Sequence, residues 1–216
     1  MTKKLFALAI LLFVFAVGTL PAATVLTFQS HPTSLNTATS QVMTSAGPAI
    51  GLVPNPAWYT PGGTVWVSPW PSGDPSLPGF FSPANGTTVT FTHDFYLPSH
   101  FVVTAATLTV LADDTTTGML NGNPLFPAGT VQLTNCTNTP GCIQATQWIG
   151  NVTPLLFHSG WNQLSFTAEQ KFGQSFGALW DLDVTGNHVP EPGTAVLLGS
   201  ALFLIGLGRF RKFRRI

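Results

Sequence analysis

Apolar and polar residues alternate with a period of two along four segments in the second half of the chain. The segments cover residues 87–95, 106–112, 164–168 and 178–184, and His93 lies on the apolar side of the first. Because successive side chains of a strand point to opposite faces, each segment predicts a β-strand with one buried face. Clusters of Gly, Pro and Asn separate the segments, and no sustained helical stripe lies between them. The pattern predicts an all-β fold, an antiparallel sandwich or barrel.

The first 23 residues have the parts of a secretory signal peptide. Lys3 and Lys4 precede an unbroken apolar run over residues 5–17, and a short segment with Gly, Thr and Ala follows at 18–23. This order predicts export. No cysteine directly follows the apolar run, which argues against a lipoprotein anchor. We expect the exported domain over residues 24–188.

The end of the chain contains a motif, an apolar segment and a basic tail, in that order. Val-Pro-Glu-Pro-Gly occupies residues 189–193, the apolar segment covers 194–208, and Arg and Lys dominate 209–216. Fifteen helical residues span about 22 Å, short of the ~30 Å hydrocarbon core, so we expect a marginal single transmembrane helix. The basic tail places this end in the cytoplasm and the domain outside.

This three-part end resembles the PEP-CTERM sorting signal, in which Pro190, Glu191 and Pro192 form the motif. The resemblance covers residues 189–216. It implies an inner-membrane-anchored precursor facing the periplasm, processing by an exosortase-type enzyme, and transfer to the cell surface or extracellular matrix of a bacterium that makes exopolysaccharide. The alternative is a plain C-terminal anchor, in which Pro-Glu-Pro only ends the helix.

Charge separates the middle of the chain from its ends. Residues 24–188 contain one basic residue, Lys171, against seven Asp and Glu, a net charge of −6. A domain with a single cation cannot neutralise a phosphate backbone, so nucleic acid is excluded as a partner. The abundance of Thr, Ser, Asn, Gly and Pro with little charge is typical of extracellular all-β modules.

Four pieces of the second half follow an order known from one family. They are 106–114, which ends in Ala-Asp-Asp; 120–122, with Asn-Gly; 150–156; and 160–166, which begins Gly-Trp-Asn-Gln-Leu. This order resembles galactose-binding-domain-like proteins, which implies a jelly-roll-like β-sandwich, a fold found in both carbohydrate-binding and structural modules. Independently, Asn121-Gly122 predicts a type I′ hairpin turn, because both residues tolerate positive φ. We expect the chain before residue 87 to add edge strands.

Four tryptophans are candidates for stacking on a sugar, because an indole covers the apolar face of a pyranose ring. They lie in loops or in Pro- and Gly-rich contexts, where we expect exposure: Trp58, Trp66, Trp70 and Trp148. Trp180 alternates with apolar residues and is expected to be buried. The alternative for each loop tryptophan is packing against the core or its own loop.

Asp113 and Asp114 are the candidates for a metal site. Adjacent residues of a strand face opposite sides, so we do not expect the two carboxylates to act together as an acid and base pair. Either they form the turn after the strand, or they contribute to a structural calcium site, since calcium favours carboxylate and carbonyl oxygens. No other cofactor is expected.

Cys136 and Cys142 enclose five residues, and the turn-forming pair Pro140-Gly141 among them brings the thiols together. We interpret the two as a local disulfide. The alternative is two free buried thiols. Zinc is not expected, because two cysteines without a nearby histidine pair do not supply four ligands.

Residues 173–177, Gly-Gln-Ser-Phe-Gly, match the nucleophile pattern of α/β-hydrolases, and Asp181 or Asp183 and His188 follow Ser175. The pattern needs a strand before the serine and a helix after it, whereas here it leads directly into a predicted strand. No catalytic residue is therefore assigned. The sequence predicts a non-enzymatic exported surface or matrix protein associated with exopolysaccharide or carbohydrate. The alternative is a structural or adhesive protein that binds other proteins and has no sugar site.

Overall fold

The computed structural model describes residues 23–30, 38–126, 142–189 and 199–201. Every ladder between the strands of these residues is antiparallel, which confirms the predicted all-β antiparallel fold. Two short 3-10 turns accompany the strands, Gln144–Thr146 and Pro154–Leu156. The strands are β1 (Thr24–Gln29), β2 (Ala38–Thr44), β3 (Gly47–Gly51), β4 (Val67–Ser68), β5 (Thr88–Leu97), β6 (Phe101–Asp113), β7 (Thr115–Leu120), β8 (Asn123–Pro124), β9 (Trp148–Asn151), β10 (Gly160–Glu169) and β11 (Gly177–His188).

The described strands form one curled sheet with two halves that face each other. Their order is β8-β7-β10-β5-β2-β3-β4-β11-β6-β9, and β1 pairs with β11. The short strands β2, β3 and β4 join the β5/β10 half to the β6/β11 half. Aromatic rings from both halves meet in the core, where the Trp180 ring centroid lies 5.1 Å from that of Phe166 and 6.3 Å from that of Phe91. This face-to-face packing fits a β-sandwich.

The four segments with alternating residues all lie in long strands, as predicted. They fall in β5, β6, β10 and β11, and only residue 87 lies just outside its strand. In β5, Val89, Phe91 and Phe95 are at most 3% exposed, and the predicted inward residue His93 is 4% exposed. The threonines between them remain at least partly exposed. The alternation therefore determined which face of each strand packs into the core.

The predicted hairpin at Asn121-Gly122 is confirmed. The φ angles are +52° at Asn121 and +76° at Gly122, as a type I′ turn requires. Leu120 and Asn123 pair across the turn, which connects β7 to β8. The Asn121 backbone N–H donates to the carbonyl of Gln163 in β10 at 2.9 Å. The hairpin thus lies beside the beginning of β10.

A second, smaller core lies on the outer face of β6 and β11. The chain between β3 and β5 folds over this face. The tryptophans of this segment lie in its loops. The expectation of edge strands is wrong for β2, β3 and β4, which lie inside the strand order because they link the two halves of the sheet. The buried members of this second core are Leu52, Trp58, Trp66, Leu111, Cys142 and Leu179.

The predicted targeting segments lie almost entirely outside the described residues. This holds for the signal peptide over 1–23 and for the sorting motif Pro190, Glu191 and Pro192, which stay predictions. Of the expected membrane helix over 194–208, residues 199–201 are described and are helical. None of the helices in the described ranges has the length and apolar character needed to cross a membrane.

Candidate functional site

Trp58 and Trp66 are buried, so the expectation that they are exposed is wrong. They are 8% and 1% exposed, and their ring centroids lie 4.2 Å apart. The Trp66 indole N–H donates to the Tyr59 carbonyl at 3.1 Å. Their Pro- and Gly-rich segment folds back onto Leu111 and Leu179, and the two indoles supply the apolar cover of that sheet face. Neither indole offers a platform for a ligand.

Trp70 and Trp148 are half-buried and pack against the main core. The Trp70 ring centroid lies 5.7 Å from that of Phe176 and 4.8 Å from that of Phe81. The Trp148 ring meets Phe126 edge to face at 4.6 Å. Other aromatic rings thus engage both indoles, so the packing alternative fits them better than an open sugar platform.

Trp161 is the most exposed aromatic side chain of the described residues, and it is not among the four predicted candidates. It is 71% exposed and lies on β10 directly opposite Tyr96 of β5, which is 50% exposed. The two rings meet edge to face, with centroids 5.5 Å apart and planes at 73°. The alternation contained the signal: the even residues from Leu164 to Ala168 point inward, so residue 161 points outward.

A polar pair lies next to this aromatic pair on the same outer face. Gln163 of β10 is opposite Asp94 of β5, and Gln163 Nε2 donates to Asp94 Oδ1 at 3.0 Å. Side chains two residues apart on a strand are ~7 Å apart and share a face. One small ligand could therefore contact the carboxylate, the amide and the exposed indole at the same time.

An open pocket of about 740 Å³ adjoins these two pairs. Pockets that bind small molecules have about 300–1,000 Å³ and combine apolar walls with a few hydrogen-bonding groups. This pocket has both kinds of wall, because residues from β1, β2, β5, β10 and the hairpin join the two pairs. These additional lining residues are Phe28, Met43, Thr92, His93, Phe95, Asn121 and Asn162.

The amide of Asn162 fixes the chain on either side of the exposed indole. Asn162 is 2% exposed, and its Nδ2 donates to the carbonyls of His158 and Gly160 at 2.8 and 3.0 Å. Its Oδ1 accepts from the His158 backbone N–H and from Asn121 Nδ2, both at 2.8 Å. All four hydrogen bonds of the amide are made. Trp161 is thus presented from a backbone that is held in place.

His93 forms a buried polar contact beneath the pocket. The Trp180 indole N–H donates to His93 Nδ1 at 3.1 Å. Burial lowers the pKa of His93 to about 4, while the nearby charge of Asp94 acts in the opposite direction. His93 is therefore neutral at pH 7. Among the described residues that line the pocket, Asp94 alone is charged at that pH.

Asp113 and Asp114 lie together in a buried corner between β6 and β7. They are 7% and 3% exposed, and Asp114 Oδ2 accepts the backbone N–H groups of Lys171 and Phe172 at 2.6 and 3.1 Å. Burial, and then the hydrogen bond and charge of Asp114, raise the pKa of Asp113 to about 9. Asp113 is therefore protonated at pH 7 and donates to Asp114. The expectation of opposite sides is wrong, because the chain bends at Asp114 where β6 ends.

The calcium alternative stays a prediction, and it would require about six to eight oxygen ligands around the ion. In the part of the chain that the structure describes, no three His, Cys, Asp or Glu side chains lie close enough to hold a metal ion. The turn-forming alternative agrees with the contacts, since Asp114 ties the β6/β7 corner to the loop after β10.

Ser175 is a buried hydroxyl with structural partners. It is 2% exposed, and its Oγ donates to the Gly73 carbonyl and accepts from Asn55 Nδ2 at 3.2 Å. Residue 177 begins β11 directly after it, as the sequence predicted, so the strand-to-helix turn of a hydrolase nucleophile does not form here. Ser175 joins three loops.

Cys142 is fully buried in the second core and is disulfide-bonded. Its predicted partner, Cys136, lies outside the described residues. The pairing of the two thus stays a prediction, and Cys142 itself contributes to the cover over β6 and β11.

Comparisons with known proteins add little to this description. No protein-family model matches the chain, and none of the curated proteins compared with it is similar. Among solved structures, the chain is similar to an α-L-rhamnosidase of Streptomyces avermitilis in complex with L-rhamnose, with 20% identity and a TM-score of 0.40. The match covers 72% of this chain and 15% of that chain. A similarity this distant carries no activity over to the chain.

Proposed function

We propose that the chain is an exported, non-enzymatic surface or matrix protein whose jelly-roll-like sandwich binds carbohydrate through the outer face of β5 and β10. The observation that carries the proposal is the exposed Trp161 beside Tyr96, with Asp94 and Gln163 next to them on the same face. The indole covers the C–H face of a sugar ring, and the carboxylate and amide bind its hydroxyl groups. Exposed aromatic side chains on a rigid strand mark an interaction site.

The ends of the chain supply the setting for this contact. In the proposal, the signal peptide over residues 1–23 exports the chain, and the inner membrane holds the precursor through its C-terminal helix. An exosortase-type enzyme then recognises the PEP-CTERM signal around Pro190, Glu191 and Pro192 and releases the domain to the surface or matrix. Exopolysaccharide is the abundant carbohydrate there and is the proposed partner.

The test measures binding of the full-length chain, purified in mild detergent, to the extracellular polysaccharide of the producing organism by affinity electrophoresis. We expect saturable binding that weakens about 30-fold in Trp161→Ala, the effect of a hot-spot tryptophan worth about 2 kcal/mol. Absence of saturable binding would instead support the structural or adhesive alternative, a protein that recognises other proteins.

Phe172→Ala is the matched control. Phe172 is 62% exposed and follows the far end of β10, so its truncation removes a similar exposed ring away from the pocket. We expect this variant to bind like the unchanged chain. Equal weakening in both variants would contradict a site at Trp161.

A further inference from the structure

The outer face of β5 and β10 continues beyond the aromatic pair as a polar strip. Four cross-strand pairs form it, and we call it the seam face: Trp161 and Tyr96, Gln163 and Asp94, Ser165 and Thr92, Thr167 and Thr90. Successive pairs are ~7 Å apart, so the strip is ~20 Å long. Its last two pairs offer hydroxyl groups, of which Thr90 Oγ1 and Thr167 Oγ1 lie 2.9 Å apart. The strip thus presents hydrogen-bonding groups over several sugar residues.

A single charge, that of Asp94, lies on the seam face. The other members are aromatic, amide or hydroxyl side chains, and His93 below the face is buried and neutral. One carboxylate oxygen of Asp94 accepts the Gln163 amide. A carboxylate has about four lone-pair sites, so it retains the capacity to accept sugar hydroxyl groups.

No cation of the domain lies near enough to offset this charge. Lys171 is the only Lys or Arg in residues 24–188. It lies beyond the other end of β10, where its Nζ is 3.8 Å from Glu169 Oε2. Glu169 lies six positions after Gln163 along the strand, a distance of ~20 Å, which is twice the ~10 Å Debye length at 0.1 M salt. An acidic ligand at Asp94 therefore meets repulsion without compensation.

We infer that the seam face selects uncharged glycan chains and rejects polyanionic ones, with Asp94 as the residue that determines this specificity. The inference rests on the proposed carbohydrate function. A neutral sugar donates hydroxyl protons to the carboxylate in charge-assisted hydrogen bonds. A uronate or other acidic substituent placed there brings a second negative charge against the first. A site discriminates between ligands through such an unpaired like charge as well as through its attractions.

The experiment compares neutral polysaccharides with their carboxymethylated forms, which share a backbone and differ in charge. The pairs are dextran, pullulan and cellulose ethers with their carboxymethyl derivatives, and the full-length chain in mild detergent is assayed at pH 8 and about 0.1 M NaCl. We expect binding to at least one neutral polymer and at least about fivefold weaker binding to its carboxymethyl form, since like charges ~4 Å apart repel by about 1 kcal/mol even in water. The ratio should shrink in 0.5 M NaCl, because salt screens the repulsion.

Asp94→Asn tests the residue. The new amide oxygen still accepts from Gln163, so the variant removes the charge and keeps the hydrogen bond; we expect it to bind both forms about equally. Asp183→Asn, which removes an exposed carboxylate from β11 on the other half, is the matched control and should keep the discrimination.

The outcomes separate this inference from the proposed function. If the unchanged chain binds the carboxymethyl forms as well as the neutral ones, or if Asp94→Asn leaves the ratio unchanged, the selection by Asp94 is wrong while carbohydrate binding stands. If only the organism's own polysaccharide is bound and none of these polymers, the inference fails while carbohydrate binding stands. If that polysaccharide is not bound either, the carbohydrate function and the inference fail together.

Discussion

The two halves of the sheet treat their outer faces in opposite ways. Over β6 and β11, the chain between β3 and β5 folds back and buries Trp58 and Trp66 in a second core. Over β5 and β10, Trp161 and Tyr96 stand on the strands themselves and remain exposed. Tryptophan is thus buried under a loop on one outer face and exposed to solvent on the other. What covers a strand, rather than the local context of a tryptophan, decides whether its indole can meet a ligand.

The largest effect on stability is expected on the covered face, which is the outer face of β6 and β11. Trp66→Ala removes a 1%-exposed indole from the second core. We expect the free energy of unfolding to fall by about 3–5 kcal/mol, as for other large aromatic truncations that leave a cavity. Urea unfolding followed by fluorescence measures it. A loss below about 1 kcal/mol would show that the cover over β6 and β11 contributes little to stability.

Carboxyl groups extend the comparison to pH. The pKa of buried Asp113 is raised to about 9, so between its unfolded value of 3.8 and 9 the folded chain holds a proton that the unfolded chain lacks. Stability therefore falls as pH rises through this window, by about 1.4 kcal/mol per pH unit at most. The pKa of His93 is lowered from 6.5 to about 4, so below pH 6.5 the unfolded chain takes up a proton that the folded chain does not. His93 therefore lowers stability as pH falls from 6.5 toward 4 and has no effect above pH 6.5.

Unfolding of Asp113→Asn between pH 7 and 9 tests this assignment. The variant should lose most of the decline in stability, because its amide has no proton to release. The stability of Asp94→Asn, which changes the seam face, should decline with pH as that of the unchanged chain does. An identical pH profile for Asp113→Asn and the unchanged chain would mean that Asp113 is not protonated in the fold.

Reduction of the disulfide is expected to weaken the covered face by a smaller amount. A bridge between Cys136 and Cys142 closes a short loop, for which chain entropy gives about 2 kcal/mol. Dithiothreitol should lower the free energy of unfolding by this amount in the unchanged chain. A Cys136→Ser variant should be less stable from the start and insensitive to reductant. Insensitivity of the unchanged chain would indicate two free thiols.

The smallest effect on stability is expected at the seam face. Trp161→Ala truncates a side chain that is 71% exposed, so the unfolding free energy should change by less than about 0.5 kcal/mol. The same variant is expected to lose polysaccharide binding, which separates recognition from stability. A large loss of stability would place Trp161 in a structural role.

Alternation along the chain was enough to predict the four longest strands, β5, β6, β10 and β11, because burial of one face follows from a period of two. β10 shows how far this extends: continuing the period from Leu164 back to residue 161 places Trp161 outside, opposite Tyr96. The burial of Trp58 and Trp66 could not be predicted in this way. It depends on contacts with Leu111 and Leu179, which are far away in sequence and meet these loops only in the fold.

The pairing of Asp113 with Asp114 was hidden for a related reason. The rule that neighbours point to opposite faces holds inside a strand, but the chain bends at Asp114. The Asp114 carboxylate accepts from the backbone N–H groups of residues 171 and 172. The sequence around residue 113 contains no pattern that predicts these contacts. The candidate site was therefore predictable where it lies on one regular strand and unpredictable where loops meet.

The hairpin beside the seam face also bears on how the protein ages. Asn-Gly pairs convert slowly in water to acidic products. The Asn121 amide donates to the Leu156 carbonyl and to Asn162 Oδ1, both at 2.8 Å. A carboxylate at this position would face two acceptors with no proton to offer either. Deamidation of one residue would thus loosen the support of Trp161 and set a working lifetime for the exposed face.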